Sequence, residues 1–214
     1  MPNLSGYAAD FAHGILVTLE LTVLGWVGAL VLGTILTALR VSPIRTLRAV
    51  SAAYVTVFRN IPIPVQMILF VFGLPLLGIQ YSLFVSAAIV LVLYTAPFVS
   101  ETLRAGLNTV STGELEALRA LGFAPGPSMV HIILPQAFGT VVKPLGNVLI
   151  TMIKNTSVAA LVGVADLTFT SNKASVDQAQ PFIIFGGAAV AYLVIGLIVS
   201  RLVASLDRKA AFSR

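Results

Sequence analysis

Few side chains in this sequence of 214 residues could carry out chemistry, because only 10% of the residues are charged. There is no cysteine, and His13 and His131 have no carboxylate or thiol at the spacing of a ligand set. A thiolate nucleophile is therefore excluded, and neither a metal site nor a catalytic residue is predicted. None of the lysines follows the glycine-rich pattern that holds phosphates. The chain is expected to bind no cofactor and no nucleotide of its own.

The polar groups of most interest interrupt apolar segments. Lys154, Asn155, Thr156 and Ser157 break one such segment, and Asn147 precedes them. A charge inside a bilayer costs about 3 kcal/mol on insertion scales unless it faces protein or water. Backbone groups freed by a broken helix are likewise tolerated only against protein or a cavity. These five residues are predicted to line a translocation path or gate, and the alternative of a polar cap between two packed helices stays open.

Three further charged residues lie near the ends of apolar segments. Glu101 and Arg104 are one helical turn apart, so they can form an ion pair. Arg59 could extend its guanidinium to the membrane interface or pair with Glu101. We predict a structural role for all three residues rather than contact with a transported molecule.

Composition and segment length indicate a membrane protein. Hydrophobic residues make up 57% of the chain, and charged residues are far below the roughly 25% of typical globular proteins. Several apolar stretches approach or exceed the roughly 20 residues that a helix needs to cross a bilayer. The sequence therefore predicts an all-α membrane protein with one domain, residues 1–214, and five transmembrane helices. The predicted spans are 11–39, 61–77, 83–99, 136–153 and 182–206, with an interfacial helix at 49–58. VAALVGVADL at 158–167 is expected to continue the fourth span after a break at 154–157.

The net charge of +5 indicates membrane orientation rather than binding to nucleic acid. With five spans, most basic residues fall on one side of the membrane, namely Arg40, Arg45, Arg48, Arg104, Arg119, Arg208, Lys209 and Arg214. The positive-inside rule assigns such residues to the cytoplasm. The N-terminus is therefore predicted outside and the C-terminus inside the cell.

A polar loop between the third and fourth spans carries helix-capping signals. Ser111 and Glu114 have the spacing of a capping box, and Gly122 stands where a helix would end. A short helix is predicted from about Thr112 to Leu121. Leucines recur every three residues along it, which gives an amphipathic helix that could dock on another protein. The Pro-Gly-Pro sequence at 125–127 is predicted to be a turn that reverses the chain.

The same loop resembles the EAA loop of permease subunits of ABC importers. The matching residues are Glu116, Ala117, Gly122, Ile132, Leu134 and Pro135. This resemblance implies that the short helix couples the chain to an ATP-hydrolysing subunit. The residues that would carry the coupling are Glu114, Glu116, Ala117, Leu118 and Gly122. Leu118 and Glu114 depart from the usual alanine and glutamine, and Gly139 stands where the family commonly has arginine.

Other segments resemble the polar-amino-acid permeases of that family, which include histidine, glutamine and glutamate importers. They are RNIPIPVQ at 59–66, LPQA at 134–137, PLGN at 144–147 and KNTSVAALVGVADL at 154–167. TAPFVSETLRAGLNTV at 95–110 is similar to glutamate-type permeases of high-GC Gram-positive bacteria. The resemblance implies a type I ABC importer permease fold in the cell membrane and transport of polar amino acids, with L-glutamate as the first candidate.

The implied partners are ATPase subunits that bind ATP and Mg²⁺, an extracellular amino-acid-binding protein and a second permease. A heterodimer is expected, and a homodimer is also possible. One alternative is an ABC importer with the same partners whose cargo is a cationic or amide amino acid. A second is a secondary transporter driven by an ion gradient, against which the docking helix and the lack of an inverted repeat argue.

Overall fold

The computed structural model describes residues 7–211, and within this range the chain is helical and contains no β-strand. The α-helices are α1 (Ala8–Val41), α2 (Arg45–Asn60), α3 (Ile63–Ile68), α4 (Leu83–Leu107), α5 (Thr112–Ala120), α6 (Pro125–Ser128), α7 (Leu134–Asn155), α8 (Leu167–Gln178) and α9 (Pro181–Ala211). Turns of π- or 3₁₀-helix extend α3 (Leu69–Gly73 and Leu74–Leu77), join α6 to α7 (Met129–Ile133) and extend α7 (Thr156–Val162).

Five membrane spans can be drawn through these helices, as the sequence predicts. Four continuous segments are long and apolar enough to cross a membrane: Ala8–Val41, Leu83–Leu107, Gly126–Val162 and Pro181–Lys209. Segments Arg45–Asn60 and Ile63–Leu77 meet the same criteria together, although the chain bends by 100° between them. The predicted interfacial helix at 49–58 and the predicted second span are therefore two arms of one bent unit.

Close packing of α1 on α4 depends on glycine. A Cβ atom on Gly33 would lie 2.6 Å from Val99 Cγ1 and 3.0 Å from the carbonyl oxygen of Ala96. Those distances leave no room for a side chain, so the two backbones can approach closely. One turn further on, the Thr37 hydroxyl lies 3.2 Å from the Ser100 carbonyl oxygen that accepts its hydrogen bond. The two helices are thereby fixed in register.

The bend after α2 is held by Gln66. Its side-chain nitrogen donates to the carbonyl oxygens of Phe58 and Ile61, both at 3.0 Å. A helix leaves its last carbonyl groups without partners inside the helix. Gln66, which is buried, supplies donors for them from the next helix, so it ties the two arms of the bent unit together.

Helix α4 continues through Pro97 and ends eight residues beyond the predicted end at Val99. Proline has no N–H, so it leaves the carbonyl group four residues earlier without its helical donor. That carbonyl belongs to Leu93, and the Tyr54 hydroxyl of α2 donates to it at 3.1 Å. A tertiary hydrogen bond therefore replaces the one that Pro97 removes.

The predicted reversing turn at Pro-Gly-Pro is wrong. Pro125, Gly126 and Pro127 form the first turn of α6, and the Ser128 N–H donates to the Ala124 carbonyl oxygen at 3.1 Å. Proline is well tolerated there because the first N–H groups of a helix have no partner within the helix. The left-handed residue that ends α5 lies just before, at Gly122. The fourth span consequently begins about ten residues earlier than the predicted start at 136.

The fourth span also ends differently from the prediction, which continued it through VAALVGVADL. After α7 the helix tightens into the 3₁₀ turn and stops at Gly163, whose φ of 88° lies in the left-handed region that favours glycine. Asp166 then caps a separate helix, α8, by accepting the Phe169 N–H at 2.8 Å. The α-helix ends at Asn155, within the predicted break at 154–157, but the 3₁₀ turn continues to Val162 and α8 follows as a separate helix.

Candidate functional site

Helix α5 has well-formed caps at both ends. At its start, the Ser111 hydroxyl oxygen accepts the Glu114 N–H at 3.2 Å. At its end, the Gly122 N–H donates to Arg119 and the Phe123 N–H donates to Leu118, both at 3.0 Å. This pair of bonds is a Schellman motif, which needs a left-handed residue at Gly122, where φ is 79°. The helix predicted at 112–121 is thus present and is ended by Gly122.

The surface of α5 is left open by the rest of the chain. Glu114, Glu116 and Ala117 are exposed, and Leu118 is half-buried. Beyond the helix, Leu121 and Phe123 expose 74% and 48% of their surface. An apolar rim beside acidic side chains is typical of a surface that another protein covers. The predicted coupling residues therefore lie together on an accessible element at one end of the bundle.

A groove runs between α2, α4 and α7. Three adjoining cavities of about 410, 300 and 470 Å³ share Phe98 in their walls. The largest also contacts Arg40, Arg59 and Glu101. The smallest, which we call the α4–α7 cavity, is lined by Tyr94, Thr95, Phe98, Asn147, Thr151 and Asn155, together with Val148 and Met152. The largest cavity, which we call the groove mouth, is therefore charged, whereas the α4–α7 cavity is neutral and mostly apolar, with asparagine and threonine side chains in its wall.

The charges of the groove mouth are not balanced. Glu101 Oε2 lies 2.6 Å from Arg104 NH2 in an ion pair. The Arg59 guanidinium instead lies over the Phe98 ring, 5.3 Å from its centroid, at a distance typical of a cation–π contact. Among residues 7–211 this is the one salt bridge, so Arg59 has no carboxylate partner within that part of the chain. The mouth carries an excess of positive charge.

The predicted path residues divide into two groups. Asn147 and Asn155 line the α4–α7 cavity, and Lys154 is exposed beside them. Thr156 and Ser157 turn back to their own helix, where their hydroxyls donate at 2.6 Å to the carbonyl oxygens of Ile153 and Lys154. Asn147 and Asn155 face space that a transported molecule could occupy, whereas Thr156 and Ser157 stabilise the transition to the 3₁₀ turn.

Sequence reasoning missed Thr95, Phe98 and Tyr94, which form the α4 wall of the cavity. A threonine and two aromatic residues in an apolar span carry no distinctive signal, and only the packing of α4 against α7 makes them a wall. It also missed the junction around Asp166, where the Leu167 N–H donates to the Thr18 hydroxyl oxygen at 3.2 Å. Burial there raises the pKa of Asp166 to about 6, although the Phe169 N–H acts in the opposite direction.

Five apolar spans, an exposed capped helix between the third and fourth, and a groove with charged and amide side chains between the spans are the features of a transmembrane subunit of a transport system. Residues 9–212 match the family of binding-protein-dependent transport system inner membrane components. The chain belongs to this family.

Individual relatives point in the same direction. The chain is 38% identical over 194 residues to the glutamate transport system permease protein GluC of Corynebacterium efficiens, covering 85% of each chain. It is 35% identical over 207 residues to the probable glutamine ABC transporter permease protein GlnM of Bacillus subtilis, covering 97% of this chain and 94% of that one. The crystal structure of an amino acid ABC transporter with histidines superposes with a TM-score of 0.91 at 29% identity, covering 96% of both chains.

These similarities confirm the predicted fold class and family. The chain is the permease of an amino-acid ABC importer, a multi-pass protein of the plasma membrane with the type I importer permease fold. It is a component of a transporter, and its family implies partners that hydrolyse ATP and that deliver the cargo.

Proposed function

We propose that the chain is the permease of an L-glutamate importer and that its groove conducts the amino acid by alternating access. The observation that carries the choice of cargo is the charge of the groove mouth, where Arg40 and Arg59 face a Glu101 already paired with Arg104. The proposal thus gives Arg59 a part in attracting the cargo, where the sequence predicts a structural role. Excess positive charge in a cleft attracts an anion. The similarity to a glutamate permease supports the same cargo.

In this proposal, α5 docks on an ATPase subunit that binds ATP and Mg²⁺. Closure of the ATPase dimer would draw the α5 helices of two permeases together and open the bundle outward. An extracellular binding protein would then deliver the amino acid, and ATP hydrolysis would reset the bundle. A second permease would complete the path, because five helices enclose little space alone. We expect this second permease to be a different chain, so that the two permeases form a heterodimer.

Labelled glutamate uptake tests the cargo in cells that lack other glutamate uptake and produce the complete transporter. Unlabelled glutamate should abolish the signal, glutamine should compete weakly, and arginine should have little effect. Equal competition by arginine would instead indicate that the cargo is a cationic amino acid. Uptake that persists without any ATPase subunit would favour a secondary transporter.

Replacing Arg59 tests the electrostatic argument. Arg59→Gln should slow glutamate uptake more than glutamine uptake, because only glutamate carries a second negative charge. Arg45→Gln is the control, since Arg45 is exposed in the first turn of α2 and does not line the groove. If Arg59→Gln slows both cargoes equally, the charge of the groove mouth does not select the substrate.

The proposed orientation places the N-terminus outside and α5 in the cytoplasm. Because the chain has no cysteine, single cysteines can report the side of the membrane without a background signal. A membrane-impermeant maleimide should label Lys173→Cys on α8 in intact cells, whereas Gly113→Cys on α5 should react only after lysis. The reverse pattern would invert the topology.

A further inference from the structure

Helix α2 lies across the end of α1 rather than alongside it. Near the start of α2, the Arg48 guanidinium donates to the carbonyl oxygens of Ser42 and Pro43 at 2.8 and 2.9 Å, just beyond the end of α1. Near its other end, Arg59 lines the groove mouth together with Arg40 from the last turn of α1. Helix α2 has 16 residues and is therefore about 24 Å long, so both its ends could not meet the end of α1 if the two helices ran side by side. Together with the 100° bend that follows it, this geometry places α2 along the plane of the membrane.

The side chains of α2 form three faces. The buried or half-buried face consists of Leu47, Ser51, Tyr54, Val55 and Phe58. The exposed apolar face consists of Val50, Ala53 and Val57. The arginine face consists of Arg45, Arg48 and Arg59. At about 100° for each residue, the apolar and arginine faces each cover about 60° and flank the buried face on opposite sides. Two of the apolar side chains, Val50 and Val57, expose 56% and 50% of their surface.

Hydrogen bonds show which of these faces is turned toward the membrane interior. Tyr54, which borders the apolar face, donates to the Leu93 carbonyl oxygen in the middle of α4 at 3.1 Å. Arg48, on the arginine face, instead bonds beyond the end of α1. The apolar face therefore lies toward the middle of the bundle and the arginine face toward its end. An amphipathic helix in a membrane interface has the same arrangement, with its apolar side in the acyl chains and its basic side among the headgroups.

The arginine face has no acidic counterpart nearby in the sequence. Residues 40–60 include four arginines and no aspartate or glutamate. Arg48 is held by two neutral carbonyl groups, which leave its charge uncompensated, and Arg45 is exposed. Neither residue forms a salt bridge within residues 7–211. A surface with uncompensated arginines beside an apolar face is complementary to an anionic lipid, which offers a negative headgroup and apolar chains.

We propose that α2 rests on anionic phospholipids, whose phosphate groups bind Arg45 and Arg48 while their acyl chains cover the apolar face. Arginine suits this role because its planar guanidinium matches the geometry of phosphate oxygens. In the proposed orientation these lipids belong to the cytoplasmic leaflet. Lipid binding at α2 needs neither cargo nor ATP, so it does not depend on which amino acid is transported. For the same reason, Arg45→Gln should not change the preference between glutamate and glutamine.

Quenching of a fluorophore by brominated lipids tests this contact. The chain has no cysteine, so a fluorophore attached to Val50→Cys reports on the apolar face alone when the partner subunits are also free of cysteine. The complete transporter is placed in nanodiscs with equal amounts of phosphatidylglycerol and phosphatidylcholine, and either lipid carries bromine on its acyl chains. The preference for phosphatidylglycerol obtained from the two quenching measurements should be on the order of tenfold.

Arg45→Gln should lower this preference about fivefold, the contribution of one arginine near an anionic surface. Arg45→Lys keeps the charge and should keep most of the preference. The matched control is Arg208→Gln, which removes one exposed arginine from the last turn of α9 and should leave the preference at Val50 unchanged. All three variants should melt like wild type, because the substituted side chains are exposed.

Three results would overturn the proposal. Equal quenching by the two lipids would show that α2 contacts acyl chains without selecting a headgroup. Quenching by neither lipid would show that a partner protein covers α2. An equal loss of preference in Arg45→Gln and Arg208→Gln would assign the effect to the overall charge of the protein. None of these results bears on the cargo, and a failure of glutamate uptake leaves the lipid contact untouched, so the two proposals fail separately.

Discussion

Asp166 should make the stability of the protein depend on pH, and Asp166→Asn should remove that dependence. The carboxyl group is completely buried at the start of α8, where it accepts the Phe169 N–H at 2.8 Å. The Tyr192 hydroxyl of α9 donates to its other oxygen at 3.4 Å. Burial disfavours the charged form and raises the pKa of Asp166 from 3.8 to about 6.

The size and sign of the effect follow from linkage. A raised pKa means that the folded state holds the proton more tightly than the unfolded state. The contribution of Asp166 to stability is therefore greatest below pH 4, decreases as the pH rises through about 6 and then becomes constant. The rise in pKa from 3.8 to about 6 corresponds to a loss of about 3 kcal/mol, at about 1.4 kcal/mol for each pH unit.

Asparagine is neutral at every pH in this range and is as good a helix N-cap as aspartate. Asp166→Asn should therefore melt above wild type at pH 8, with a difference that shrinks toward pH 4.5. Thermal unfolding of the purified transporter between pH 4.5 and pH 8 measures this difference in melting temperature. Asp10→Asn is the control because Asp10 is exposed. A variant that melts below wild type at pH 8, or a difference that does not change with pH, would refute the reasoning.

Two further predictions concern packing and the bend. Gly33→Ala should destabilise the protein by about 1–3 kcal/mol because its Cβ would clash with Val99, whereas Gly196→Ala, with open space around it, should not lower the melting temperature. Thermal unfolding of the two variants compares them directly, and equal stability would show that α1 and α4 can separate without cost. Gln66→Leu should cost about 2–3 kcal/mol because it leaves two carbonyl groups unpaired, while Asn60→Ala, at an exposed residue, should change little. If both variants melt like wild type, the side chain of Gln66 does not hold the bend.

The spans and the coupling helix could be predicted because their signals are local. A long apolar run has few alternatives in a chain with so few charges, and Ser111 and Gly122 mark the two ends of α5 through backbone chemistry alone. The capping pattern needs no knowledge of the rest of the fold. The same reasoning found the end of α7 near Lys154, where polar residues replace apolar ones.

The errors arose where one local signal supports two structures. Pro-Gly-Pro occurs in turns, but proline also suits the first turn of a helix, and here α6 begins there. The apolar sequence after Thr156 could continue a span, but Gly163 ends it and Asp166 starts another helix. The wall that Thr95 and Phe98 form opposite Asn147 could not be predicted, because it depends on how α4 packs against α7 across more than 40 residues of sequence.

The central claim is that this chain couples amino-acid transport to ATP hydrolysis through α5. The most direct measurement is ATP hydrolysis by the transporter in nanodiscs, with glutamate-loaded or empty binding protein. Loaded binding protein should stimulate wild type and Gly186→Val, which has open space in α9, but not Gly122→Val, whose residue must adopt a φ of 79° that valine disfavours. Failure of the loaded binding protein to stimulate wild type, or full stimulation of Gly122→Val, would contradict the account.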